Sequence, residues 1–140
     1  MQIEIDPQSA APIYQQIRDR VVEAVARGDL TPGDQLASVR QLAVDFGINV
    51  ATVAKAYDVL RSEGIIRTNH KSGSVIARGP GTGPADEGFV ADWSARLATL
   101  LAEAVAKGLP DTQIVVHSTA IIDDFTARRS QSHQQKDPLS

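Results

Sequence analysis

Between positions 38 and 79 the chain carries six basic side chains, Arg40, Lys55, Arg61, Arg67, Lys71 and Arg78, against three acidic ones, Asp45, Asp58 and Glu63. Arg and Lys supply hydrogen-bond donors and fixed positive charge, so such a set suits holding an anion rather than making or breaking a bond. Residues 80–140 reverse the balance, with five basic and eight acidic residues, and the net charge of −3 hides the basic stretch. A basic middle and an acidic end point to two surfaces with different partners. The sequence offers no catalytic set: it has no Cys, no phosphate-binding loop, and no His–carboxylate pair at a catalytic spacing. His70, His117 and His133 are too scattered to form a metal site, and nothing implies a cofactor. An enzyme is therefore not expected.

The basic residues must be positioned by elements, and the hydrophobic pattern supplies them. Ile13, Ile17, Val21 and Val25 recur every four residues, which predicts a helix over about 11–27 with Pro12 near its first turn and Gly28 closing it. After the turn "LTPGDQL", Ser38 and Gln41 read as an S-x-x-Q capping box. It opens a two-turn helix whose buried face is Val39, Leu42, Ala43 and Phe46, and Gly47 stops it. The next helix follows at once, with Asn49 as N-cap, Gly64 as C-cap and an apolar stripe of Ile48, Val53, Ala56, Tyr57 and Leu60. Its other side is sparse, with only Asn49, Thr52, Lys55 and Asp58 as polar groups. "IIRTN" and "SVIA" around "HKSG" then predict a small hairpin, with Gly73 free to take a positive φ. Helix, helix–tight turn–helix and hairpin in this order make a winged helix-turn-helix, a mainly α (α+β) fold whose two short helices must cross steeply, as in readers of DNA.

"GPGTGPADEG" (79–88) is Gly- and Pro-rich and has no apolar periodicity, so the domain of residues 1–78 is expected to end in a linker over 79–87. Residues 88–128 then form a short two-helix hairpin. Phe89, Trp93, Leu97, Leu100 and Leu101 mark its first helix, and Ile114, Ile121, Ile122 and Phe125 its second, over about 111–128. "QIVVHSTAII" is β-branched enough for a strand, but the helical spacing fits it better. Two such helices have almost no interior of their own, so the same element of a second chain is the expected cover, and the expected state is a homodimer. Phe89 and Trp93 read as packing residues rather than a ligand box, and His117 as an interface residue. Residues 129–140 lack large apolar residues except Leu139 and are expected to be a flexible tail. No apolar run approaches membrane length, the N-terminus shows no secretory pattern, and the lack of Cys fits a cytoplasmic chain.

The run from Pro12 to Ala77 closely resembles the N-terminal domain of GntR-family bacterial transcription regulators. The family pattern P-[IL]-Y-x-Q-I appears at Pro12–Ile17, G-x-L-x-P-G-x-x-L-P-S-x-R-x-L-A at Gly28–Ala43, T-V-x-x-A-[YL]-x-x-L-x-x-E-G at Thr52–Gly64, and the end of the wing at Gly73–Ile76. The remainder resembles the YtrA subfamily, whose short C-terminal region is two helices used for dimerisation. Ala37 replaces the usual Pro, Val50 and Ala54 stand where many members carry Arg, and Lys71 replaces the first wing Gly.

The resemblance implies that Arg40 enters the major groove and pairs with guanine, its fork matching O6 and N7 together. Ser38 is first a cap and secondarily a phosphate contact. Asn49, Thr52 and Lys55 sit at the end of the helix that enters the groove, where Thr52 and the first-turn amides can take a phosphate. Asn49 reads more readily as a cap than as a base contact. Val50 and Ala51 can touch thymine methyl groups, and His70 and Lys71 can reach the minor groove or its phosphates beside Gly73. The function expected is a homodimeric, sequence-specific regulator, a repressor bound to a palindromic double-stranded operator near its own operon, in family analogy one encoding an ABC transporter. A small-molecule effector would fit the dimer cleft, although no convergent polar set marks a pocket. The competing expectation is a winged-helix adaptor that binds protein instead of DNA.

Overall fold

The computed structural model describes residues 3–136, apart from the side chains of 134–136. The chain divides into two compact units, one running up to Thr82 and taking in the stretch from Arg128, the other spanning Gly83–Ala127.

The first unit holds α1 (Ile13–Ala26), α2 (Val39–Phe46), α3 (Val50–Ser62), β1 (Ile66–Asn69) and β2 (Gly73–Ile76). Its core is the meeting of two stripes: Ile17, Val21, Ala24 and Val25 of α1 pack with Val53, Ala56, Tyr57 and Leu60 of α3, closed by Leu42, Ile66 and Ile76. The four-residue repeat in α1 is thus a buried face. Arg18 of α1 ties the same two helices from outside, its Nε donating to Glu63 at 3.1 Å, and the Glu63 hydrogen bond raises the Arg18 pKa against its partial burial. A buried Gln16 clamps the N-terminal arm: its amide oxygen accepts from the Asp6 N–H, and its Nε2 donates to the carbonyls of Asp6 and Ala11.

Both short helices are capped as their sequences direct. Ser38 Oγ accepts from the Gln41 N–H at 3.1 Å. Only half of the expected capping box forms, because the Gln41 side chain donates forward to Asp45 Oδ1 at 2.7 Å rather than back to Ser38. Gly47, at φ 63°, ends α2, with the Ile48 N–H donating to the Ala43 carbonyl. Asn49 Oδ1 then accepts from the Ala51 N–H at 2.8 Å and starts α3.

β1 and β2 form an antiparallel hairpin with Ile66 opposite Ile76 and Asn69 opposite Gly73. The segment before α2 does more than turn the chain. The Gly33 and Leu36 N–H groups donate to the Ile76 and Ser74 carbonyls, the Ile76 N–H donates to Asp34, and Gln35 bridges Val75. It is a partial third strand that joins the wing to the approach of α2.

The second unit consists of α4 (Glu87–Ala106) and the larger part of α5 (Asp111–Lys136). Gly108, at φ 90°, closes α4, and α5 starts at Asp111, directly after Pro110, whose carbonyl accepts from the Gln113 and Ile114 N–H groups. The β-branched run 113–122 is helical throughout. No residue of α4 is buried, and α4 and α5 share no packed face comparable with that of α1 on α3.

One expected boundary is corrected. The flexible tail from 129 is instead the last turns of α5, helical to Lys136, while residues 137–140 of that expected tail lie outside the described residues. "ARRSQSHQQK" contains no Gly or Pro and several good helix formers, and extending an existing helix needs no new nucleus. Arg129 Nη1 donates to the Ala26 carbonyl at 3.1 Å, placing a cation on the open end of α1.

Candidate nucleic-acid interface

All ten residues singled out for DNA fall in the first unit, and all but the half-buried Thr52 are exposed. Arg40 stands in the first turn of α2, behind the Ser38 cap, and its side chain makes no hydrogen bond or ion pair among the described residues. Its position is set from below by Tyr57. That side chain is buried in the α1–α3 core, and its hydroxyl donates to the Ala37 carbonyl at 2.6 Å. Burial pushes the Tyr57 pKa up to about 12, so the phenol keeps its proton and stays a donor. Ala37, which stands where the family pattern has Pro, is thereby held by a side chain instead of a ring.

At the start of α3 the structure changes two expectations. Of the first-turn amides, those of Ala51, Thr52 and Val53 already donate to the Asn49 side chain or carbonyl, which leaves only the Val50 N–H open to a phosphate. Asn49 is a cap, with its amide NH₂ left as the outward group. Lys55 does not extend freely: its Nζ sits 4.0 Å from the centroid of the Tyr14 ring on α1, an attraction of about 0.5–1 kcal/mol at an exposed site. Val50 is 47% exposed and Ala51 is exposed beside it, so the outer surface of the first turn is largely hydrocarbon.

On the wing, His70 and Lys71 occupy the turn and Gly73 takes φ 73°. Asn69, which the sequence reading passed over, builds that turn: its Oδ1 accepts from the Lys71 N–H at 2.9 Å. Arg67 is a further candidate that the sequence reading did not single out. It is exposed on β1 between the buried Ile66 and the turn, and the two-residue alternation of a strand is the signal that could have found it. Arg40, Lys55, Arg67 and Lys71 make no ion pair among the described residues, whereas Arg61 is paired with Asp58 at 2.9 Å. The basic side chains nearest the reading elements are therefore not neutralised by the protein. No group of His, Asp or Glu that could hold a metal occurs among the described residues, and no helix there is long and apolar enough to cross a membrane.

Three helices, a tight turn between the second and third, and a two-stranded wing define a winged helix-turn-helix protein. Residues 13–76 match the bacterial regulatory proteins of the gntR family, and the chain belongs to that family. It is 47% identical over 75 residues to the HTH-type transcriptional repressor YtrA of Bacillus subtilis (strain 168), a match covering 54% of this chain and 58% of that protein. The chain spans about three fifths of the length of three of the curated relatives it matches and under a third of several longer ones. Among solved structures, YtrA from Sulfolobus acidocaldarius, a GntR-family transcription factor, is 38% identical with a TM-score of 0.57, covering 74% of this chain and 97% of that one. A transcriptional antiterminator from Listeria monocytogenes EGD-e is 28% identical with a TM-score of 0.77, covering 87% of this chain and 93% of that one. These relatives and this fold are those of transcription regulators, not of an enzyme.

Proposed function

We propose that the protein is a homodimeric repressor that binds a palindromic DNA operator. The observation that carries this reading is the set of exposed, unneutralised cations, Arg40 on α2, Arg67 and Lys71 on the wing, and Lys55 on α3, in a family of regulators. Free Arg and Lys release counterions when they meet phosphates, which gives affinity, and Arg40 has the fork that matches a guanine edge, which gives selectivity. Repression follows the B. subtilis relative, which is named a repressor. Dimerisation is supported by the apolar residues of α4 and α5. Leu100 and Ile122 are each 62% exposed, and Phe89, Trp93 and Ile121 are exposed with them. Leu97, Leu101, Ile114 and Phe125 are only half-buried. A patch of this kind calls for a partner, and a second copy supplies an identical one. Two winged helices on one duplex would read half-sites about one helical turn apart. A protein acting this way works on chromosomal DNA in the cytoplasm, and a small effector acting at the dimer would release it.

The test is selection of bound duplexes from a random pool, compared with the promoter of the protein's own gene. An enriched palindrome that recurs in that promoter is the expected result. Recovery of random sequence would overturn the reading in favour of an adaptor that binds protein.

A further inference from the structure

We propose that α3 reads the C5-methyl group of a pyrimidine in the major groove, with Val50 as the residue that determines this preference. The inference rests on the operator-binding reading and says what the third helix contributes to it. In the first two turns of α3 most of the polar side-chain groups are engaged or turned aside. Asn49 Oδ1 holds the Ala51 N–H, Thr52 is half-buried, and Lys55 lies over the Tyr14 ring. What remains outward is the Asn49 NH₂ and, beside it in the chain, the half-exposed side chain of Val50 with the methyl of Ala51. Val50 is 47% exposed, and the part of its isopropyl group that faces water gains nothing from it. The unpaired cations of the same unit, Arg40 on α2 and Arg67 and Lys71 on the wing, favour a polyanion as the occupant. Within the major groove the apolar feature on a base edge is the methyl on pyrimidine C5, which marks thymine and distinguishes it from cytosine. A duplex therefore satisfies both the cations of the unit and the apolar start of α3, with guanine read by Arg40 and the methyl by Val50.

Thymine and 5-methylcytosine share this methyl group, so the experiment carries an arm for each. The duplex enriched from the random pool is remade with each thymine replaced in turn by deoxyuridine, which keeps every hydrogen bond and removes only the methyl. At the thymine read by Val50, affinity should fall about fourfold per half-site, the worth of one buried methyl. At the same position 5-methylcytosine should bind about fourfold better than cytosine. Val50→Ala, an exposed change to a better helix former, should bind the thymine and deoxyuridine duplexes equally. If no deoxyuridine substitution weakens binding, or if Val50→Ala keeps the full discrimination, the inference is overturned while operator binding stands. If no duplex is enriched at all, it is the operator reading itself that has failed.

Discussion

At the scale of single residues, the reading surface is set as much by groups that never meet a ligand as by those that could. Tyr57 is the main example, because its hydroxyl holds the Ala37 carbonyl just before the α2 cap and Arg40. Tyr57→Phe should cost about 0.5–1.5 kcal/mol, the net worth of one hydrogen bond, measured as a lower urea midpoint at neutral pH. The raised pKa adds a pH dependence whose sign is fixed. Folding favours the protonated phenol, so the contribution is whole below pH 10 and fades as pH rises toward about 12. The stability gap between wild type and Tyr57→Phe should therefore narrow between those values. A gap that stays constant would mean the phenol titrates as it does in the unfolded chain. Lys55 illustrates the opposite influence: a cation that the sequence offers to DNA is drawn over Tyr14, a partner forty-one residues earlier in the chain that no local pattern indicates.

At the scale of elements, the parts that were legible in the sequence are those fixed by local rules. The stripe of Ile17, Val21 and Val25, the caps at Ser38 and Asn49, and the left-handed Gly47 and Gly73 each follow from spacing or from one residue type. Two features were not legible. The partial strand at 33–36 pairs through backbone groups alone, so its side chains carry no alternating pattern. The end of α5 has no apolar face to announce a helix, and what holds it is contact with α1. Gly28 makes that contact close: a Cβ there would stand 3.2 Å from Arg129 Cα and Ser132 Cβ. Gly28→Ala should thus destabilise the chain more than Gly64→Ala. Both positions have nearly the same positive φ, 78° and 77°, but Gly64 has nothing within 4 Å. Left-handed strain alone costs about 1–2 kcal/mol, so the excess at Gly28, together with faster amide exchange over 128–133, measures the docking of α5. Equal losses at the two glycines would show that the end of α5 contributes nothing.

At the scale of the whole molecule, the proposed function depends on two separable properties: a winged helix that would select a sequence, and exposed helices that would bring two copies together. Leu100→Asp combined with Ile122→Asp should convert the protein to a monomer in sedimentation while leaving the first unit folded, since both residues lie in the second. Persistence of a dimer would place the contact elsewhere. Selection of sequence is the central claim, and the most direct measurement is competition binding between the enriched operator and a scrambled duplex of equal length, for wild type and Arg40→Ala at one salt concentration. Wild type should prefer the operator, and Arg40→Ala should lose roughly ten- to hundredfold of that preference while still binding both duplexes, because the phosphate contacts proposed for Arg67 and Lys71 would be untouched. Equal binding of the two duplexes by wild type, or undiminished preference in Arg40→Ala, would contradict the account.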